Sequence, residues 1–173
     1  MRVTALGLAE RFLGLDELAG DENTPLIVGM AQVVKSDMRG GVGLGGVGRL
    51  PADDETPWCA VYVGFIAYLL NLPRPARHSD PVVRGLALRA RSWLRIGNEI
   101  ALADAKPGWD CVVFNRGGPA DPAIINAPGH VGLYVSHSGD SVVVRGGNQG
   151  NKVSDRAYPI NDILGVRRWW SGG

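Results

Sequence analysis

Two cysteines and three histidines are the residues of this 173-residue chain best suited to nucleophilic or metal chemistry. Cys59 stands out by its surroundings, Thr56-Pro57-Trp58-Cys59-Ala60-Val61-Tyr62-Val63, which open an almost wholly apolar run to Leu70. Thr56 is a good N-cap, since its hydroxyl can accept from a free amide of the first turn. Pro57 suits the first helical position, where its missing N–H costs nothing. This spacing puts Cys59 at about the third helical position. There the positive end of the helix dipole favours a thiolate, which is the nucleophilic form. The Cys59 amide could also donate to an oxyanion. Two readings of Cys59 stay open on position alone: a nucleophile at the mouth of a buried helix, or a small buried hydrophobe.

A cysteine nucleophile needs a base, a group that orients the base, and donors for the oxyanion. His137 falls in the turn His137-Ser138-Gly139-Asp140, and His78 in a loop with three prolines between Leu72 and Pro81. Both read as solvated. His130 opens an apolar strand after Pro128-Gly129 and shares a strand face with Gly132 and Tyr134. The glycine beside it would leave room for an approaching group. The odd offset to His137 puts that ring on the other face, which speaks against a shared metal. No HExxH, paired CxxC or carboxylate–histidine cluster occurs, so neither a metal nor a cofactor is expected. Asn148, in Gly146-Gly147-Asn148-Gln149-Gly150, is the candidate to orient His130; its side-chain oxygen could accept from the imidazole. The same composition also suits a turn, where Asn tolerates left-handed geometry. Cys111 lies mid-strand among valines and reads as inert.

These residues must be held by a fold. Length predicts one domain over residues 1–173, with enough chain for a full core. A 45% apolar and 20% charged composition fits a globular chain, and the formal charge of +1 argues against nucleic acid as a partner. No segment is long and apolar enough for membrane insertion, and the N-terminus does not read as a signal peptide. Synthesis in a reducing cytoplasm is expected.

Helical periodicity predicts helices over Val3–Leu13, Thr24–Met38, the Cys59 run, and Arg84–Ile96 with several arginines outside. Gly41-Val42-Gly43-Leu44-Gly45-Gly46 formally matches GxGxxG, but a helix enters it and Pro51 with an acidic patch leaves it, so it reads as a loop. Asp53-Asp54-Glu55 would raise a nearby thiol's pKa, and so is expected to point away from the sulfur or to bind substrate. From Pro107 the period becomes two, predicting strands at Asp110–Phe114, His130–Ser136, Ser141–Arg145, Lys152–Ala157 and Leu164–Trp169. Trp169-Trp170 is expected to cap the core edge. Helices followed by an antiparallel meander predict an α+β fold.

Asp54-Glu55-Thr56-Pro57-Trp58-Cys59-Ala60, Pro107-Gly108-Trp109-Asp110, Gly129-His130-Val131-Gly132 and Gly146-Gly147-Asn148-Gln149 occur in an order that resembles the CHAP and NlpC-type cysteine hydrolases of peptidoglycan, phage endolysins among them. The resemblance covers most of the chain from Asp53 to Trp169. It implies a papain-like fold with N-terminal helices and a C-terminal antiparallel sheet. It implies Cys59 as nucleophile and His130 as base, with Trp58, Glu55 and Gln149 as substrate contacts. Two departures stand out: Trp109 interrupts the usual Pro-Gly-Asp, and Gly146 stands where many CHAP members carry a histidine-orienting Glu. The third catalytic role therefore falls to Asn148.

The implied function is cleavage of a stem-peptide or muramoyl-peptide amide in peptidoglycan by a monomer, acting on the wall after release or as part of a phage-like particle. The rivals are a papain-fold toxin or transferase acting on another amide, and a catalytically silent wall-binding module.

Overall fold

The computed structural model describes residues 3–18, 23–39 and 57–169. The expected Thr56 cap, Asp53-Asp54-Glu55 with the substrate contact Glu55, the Gly40–Gly48 loop and Trp170 lie outside the described residues.

Helix α1 spans Ala5–Ala9, and Thr4 caps it by accepting from the Gly7 amide at 3.0 Å. It tightens into a 3-10 turn at Glu10–Phe12, so the expected helix is shorter than Val3–Leu13. Gly14, at φ 82°, then turns the chain away. Helix α2 spans Pro25–Met38, as its cap-then-proline start predicts. The Thr24 hydroxyl does not cap it; it accepts from the Leu18 amide and donates to the Asp16 carbonyl. Helix α3 spans Cys59–Leu69 and is almost entirely buried.

The expected Arg84–Ile96 helix is not formed. Helix α4, Pro81–Gly85, begins earlier, on the Asp80 cap and Pro81. A separate 3-10 run covers Ala90–Arg95. Arg91 is the reason the later segment turns inward. It is fully buried, whereas Arg89 and Arg95 are exposed as expected, and it donates to the Pro128 and Asp121 carbonyls and to Asn115 Oδ1.

The sheet has six antiparallel strands: β1 Asn98–Ile100, β2 Asp110–Asn115, β3 Gly129–Ser138, β4 Ser141–Gly146, β5 Ser154–Pro159 and β6 Ile163–Arg168, in the order β1-β6-β2-β3-β4-β5. β1 was not expected, because three residues, two of them polar, are too few to show a period. β3 runs through His137 and Ser138, which the sequence assigns to a turn.

The helices cover one sheet face. Their core joins Tyr62, Val63, Ile66 and Met30 to Cys111, Val113, Val131, Leu133 and Trp169. Trp169 stacks on Trp93 with centroids 4.8 Å apart, so it seals the core as expected. Its indole N–H donates to Cys111 Sγ at 3.0 Å, and Cys111 is fully buried. The opposite face carries a smaller cluster of Val112, Phe114, Tyr134, Val142, Val144 and Val166. Mixed helix and antiparallel sheet is thus the observed class, as the sequence predicts. No helix among the described residues is long and apolar enough to cross a membrane.

Candidate active site

Cys59 is the first residue of α3, with Trp58 in the cap position, rather than its third. The first intrahelical bond runs from the Tyr62 amide to the Trp58 carbonyl at 2.9 Å. The amides at the start of α3, those of Cys59 and Ala60 among them, have no acceptor within the helix. The thiol is buried, and burial pushes its pKa up. The Val131, Ala60 and Cys59 amides and the Arg116 guanidinium pull the other way, less strongly. The helix position favours a thiolate, and desolvation opposes it more strongly, so the net shift is upward. The Val131 amide is the thiol's strongest opposing influence, and it belongs to the residue next to His130 in β3.

His130 is buried as the second residue of β3 and sits opposite Phe114 of β2. Its ring stacks on Tyr158, with centroids 5.1 Å apart and planes 26° apart. Tyr158 stacks in turn on Phe114 at 4.7 Å. The partner of the imidazole is Gln149, not Asn148: His130 Nε2 and Gln149 Oε1 are 3.0 Å apart. The Gln149 amide nitrogen is directed at the Ser154 and Val144 carbonyls, which can only accept. The NH₂ must therefore face them, and Oε1 must face the histidine. Nε2 then carries the proton and donates it to Gln149. Nδ1 keeps its lone pair and has no hydrogen-bond partner among the described residues.

Burial lowers the His130 pKa to about 4; the Gln149 bond opposes this, while Arg116 and Arg156 add to it. Burial thus favours the neutral form of both the Cys59 thiol and the His130 imidazole.

Asn148 occupies the turn, at φ 56°, and is half-buried. No hydrogen bond joins it to His130 among the described residues. The turn reading of Asn148 is the one the geometry favours. Gln149, expected as a substrate contact, is buried and holds the imidazole instead. Trp58, expected likewise, is 2% exposed and donates from its indole to Glu17 Oε2 at 3.0 Å. Its ring packs on the backbone at Gly147, where a Cβ would stand 2.4 Å from it. Trp58 thus fastens α3 to the 146–149 turn.

Gly132 leaves no open space beside His130, because a Cβ there would meet Val144 Cγ2 at 2.7 Å. Gly146 lies close to the imidazole: a Cβ there would be 3.1 Å from both His130 Nε2 and Gln149 Oε1. The Gln149 amide already occupies the space on that side.

His137 is exposed, as expected, but a bulge between Tyr134 and Ser136 breaks the alternation that would set it opposite. Its Nδ1 lies 2.7 Å from Tyr134 Oη, so the two side chains share a face. His78 is partly exposed in its loop, and its Nδ1 accepts from the Asp80 amide. Among the described residues, no group of three histidine, cysteine or carboxylate side chains could hold a metal.

A cleft of about 300 Å³ opens over His130, lined by Phe114, Asn115, Arg116, Asn148, Arg156, Tyr158 and Asp162. Arg116, Arg156 and Tyr158 carry no motif signal, and only the pairing of strands brings them to this place. Gln149 could have been found, since it stands beside Asn148 in the same turn and offers the same amide oxygen. No family model matches this chain, and no curated protein matches it.

Proposed function

We propose that the protein is a papain-like cysteine hydrolase that cleaves an amide bond of peptidoglycan. The observation that supports this best is the fixed tautomer of His130: Gln149 accepts from Nε2, and the buried Nδ1 is left as a free base. A histidine buried only for packing would have no need of an unpartnered ring nitrogen, since an unpaired buried acceptor costs about 1–3 kcal/mol. The Cys59 thiol, at the amide of Val131 next to His130, supplies the nucleophile. The choice of peptidoglycan rests on the four-motif resemblance.

In this reading Cys59 Sγ attacks the amide carbonyl as its proton passes to His130 Nδ1. The oxyanion forms at the amides opening α3. The C–N bond then breaks, and Nδ1–H protonates the leaving amine. Water, deprotonated by Nδ1, attacks the thioester; the acid leaves and the thiol is restored. Because both groups rest neutral, proton transfer accompanies attack instead of preceding it.

The test is incubation with purified sacculi and mass spectrometry of the fragments. Wild-type protein should release new amine and carboxyl termini. Cys59→Ala should lower turnover by about 10⁶ with its melting temperature nearly unchanged, and Cys111→Ala should retain activity. Intact sacculi with wild-type protein, or equal turnover by Cys59→Ala, would overturn the reading.

A further inference from the structure

Arg116 and Arg156 approach the cleft from different strands. Arg116 follows β2 directly, and Arg156 lies on β5, two residues before Tyr158. The Arg156 guanidinium sits over the Tyr158 ring, 5.7 Å from its centroid, and that ring also stacks on His130. Cation–π contact and strand pairing thus fix the charge within one side chain of the imidazole. Other arginines around the sheet are spent on carboxylates: Arg145 on Asp155, Arg168 on Asp110, and Arg167 on Glu99. Arg116 and Arg156 make no ion pair among the described residues, although the acid Asp162 lines the same cleft. His130 itself lines the cleft between them.

We infer that Arg116 and Arg156 form a carboxylate-binding subsite, so that the preferred substrate carries a free carboxylate beside the amide to be cut. Guanidinium groups suit this task because each offers two parallel N–H donors to a carboxylate. Both charges reach His130, since both act to lower its pKa. A bound carboxylate would therefore be sensed at the base as well as at the subsite. The identity of the bond cut rests on the hydrolase reading; the anion subsite does not.

Binding is measured with full-length Cys59→Ala protein, titrated with N-acetyl-alanyl-glutamate and with its diamide, while the His130 ring resonances are followed. The free acid should bind at least about tenfold more tightly than the diamide, shift those resonances, and weaken with added salt. Arg116→Gln and Arg156→Gln, both at exposed positions, should each erase most of the difference. Arg156→Lys should restore only part of it. Equal affinity for acid and diamide, binding of neither, or a difference that survives in both glutamine variants would overturn the inference. Turnover of matched muropeptides by wild-type protein, with that carboxylate free or amidated, is read separately. Hydrolysis without carboxylate preference overturns the subsite and leaves the hydrolase. Carboxylate binding without hydrolysis keeps the subsite and removes the hydrolase.

Discussion

At the scale of single residues, two neighbours with similar side chains have different jobs. Asn148 and Gln149 both offer an amide oxygen, yet only Gln149 reaches His130, at 3.0 Å, because Asn148 is used at φ 56° to turn the chain. Gln149→Ala should lower kcat by about tenfold to a hundredfold with little change in KM, since an orienting group acts mainly in the transition state. Asn148→Gly should keep both turnover and Tm, because glycine adopts the same backbone freely. Steady-state kinetics and thermal melts of the two variants check this, and loss confined to Asn148→Gly would reverse the assignment.

The neutral pair has its own pH signature. His130 titrates at about 4 in the folded chain, below the ordinary 6.5, so the unfolded chain binds this proton first. Its contribution to stability is whole above about pH 6.5 and is lost as pH falls toward 4. Wild-type Tm should therefore drop across that window more steeply than that of His130→Asn. In the same free protein, alkylation of Cys59 by iodoacetamide should be slow at neutral pH and rise only in the alkaline range, since burial raises the thiol's pKa. Fast alkylation at pH 6 would instead signal a preformed ion pair.

At the scale of elements, the site depends on how closely α3 meets the turn after β4. Gly147 has no room for a side chain: a Cβ would stand 2.4 Å from the Trp58 ring and 2.8 Å from Tyr62 Cβ. Tyr62 is tied further to α1, its hydroxyl donating to the Ala9 carbonyl at 2.9 Å. Gly147→Ala must therefore push the turn off α3, and Gln149 with it. A cost of about 1–3 kcal/mol is expected, with Tm and turnover falling together. Gly139→Ala, in open space at the far end of the β3–β4 hairpin, should leave turnover intact. Arg91 serves the other approach to the site. By donating to Pro128 and Asp121 carbonyls and to Asn115, it holds the 115–128 loop that delivers His130 to the start of β3.

At the scale of the whole molecule, the helical layer is locked by one buried acid. Asp37, 2% exposed near the end of α2, receives Arg74 at 2.6 Å and Arg77 at 2.8 Å. Arg74 is itself 8% exposed, and its Nη1 donates to the Leu72 carbonyl. Asp37→Ala would strand a buried cation, so a loss of about 3–5 kcal/mol is expected in chemical denaturation. Arg77→Ala, whose side chain is half exposed, should cost about 1 kcal/mol or less. A similar small loss for both variants would mean that the network does not lock the layer.

Local chemistry determined much of this without the fold. Short apolar runs rich in β-branched and aromatic residues, bounded by turn signals, mark β2, β3, β4 and β6 within a few residues. The cap-then-proline signal starts α2 correctly, and Cys59 and His130 are legible as reactive types at element openings. Features that depend on residues distant in sequence were left to the tertiary structure. Desolvation at Cys59 exceeds the pull of the amides because the folded chain buries the thiol. The choice of Gln149 over Asn148 depends on where the Ser154 and Val144 carbonyls stand. The inward turn of Arg91 depends on a loop some thirty residues further on. Arg116 and Arg156 come to line one cleft only through the pairing of β2, β3, β4 and β5. Burial and hydrogen-bond geometry are properties of the closed sheet, and no spacing within a single segment encodes them.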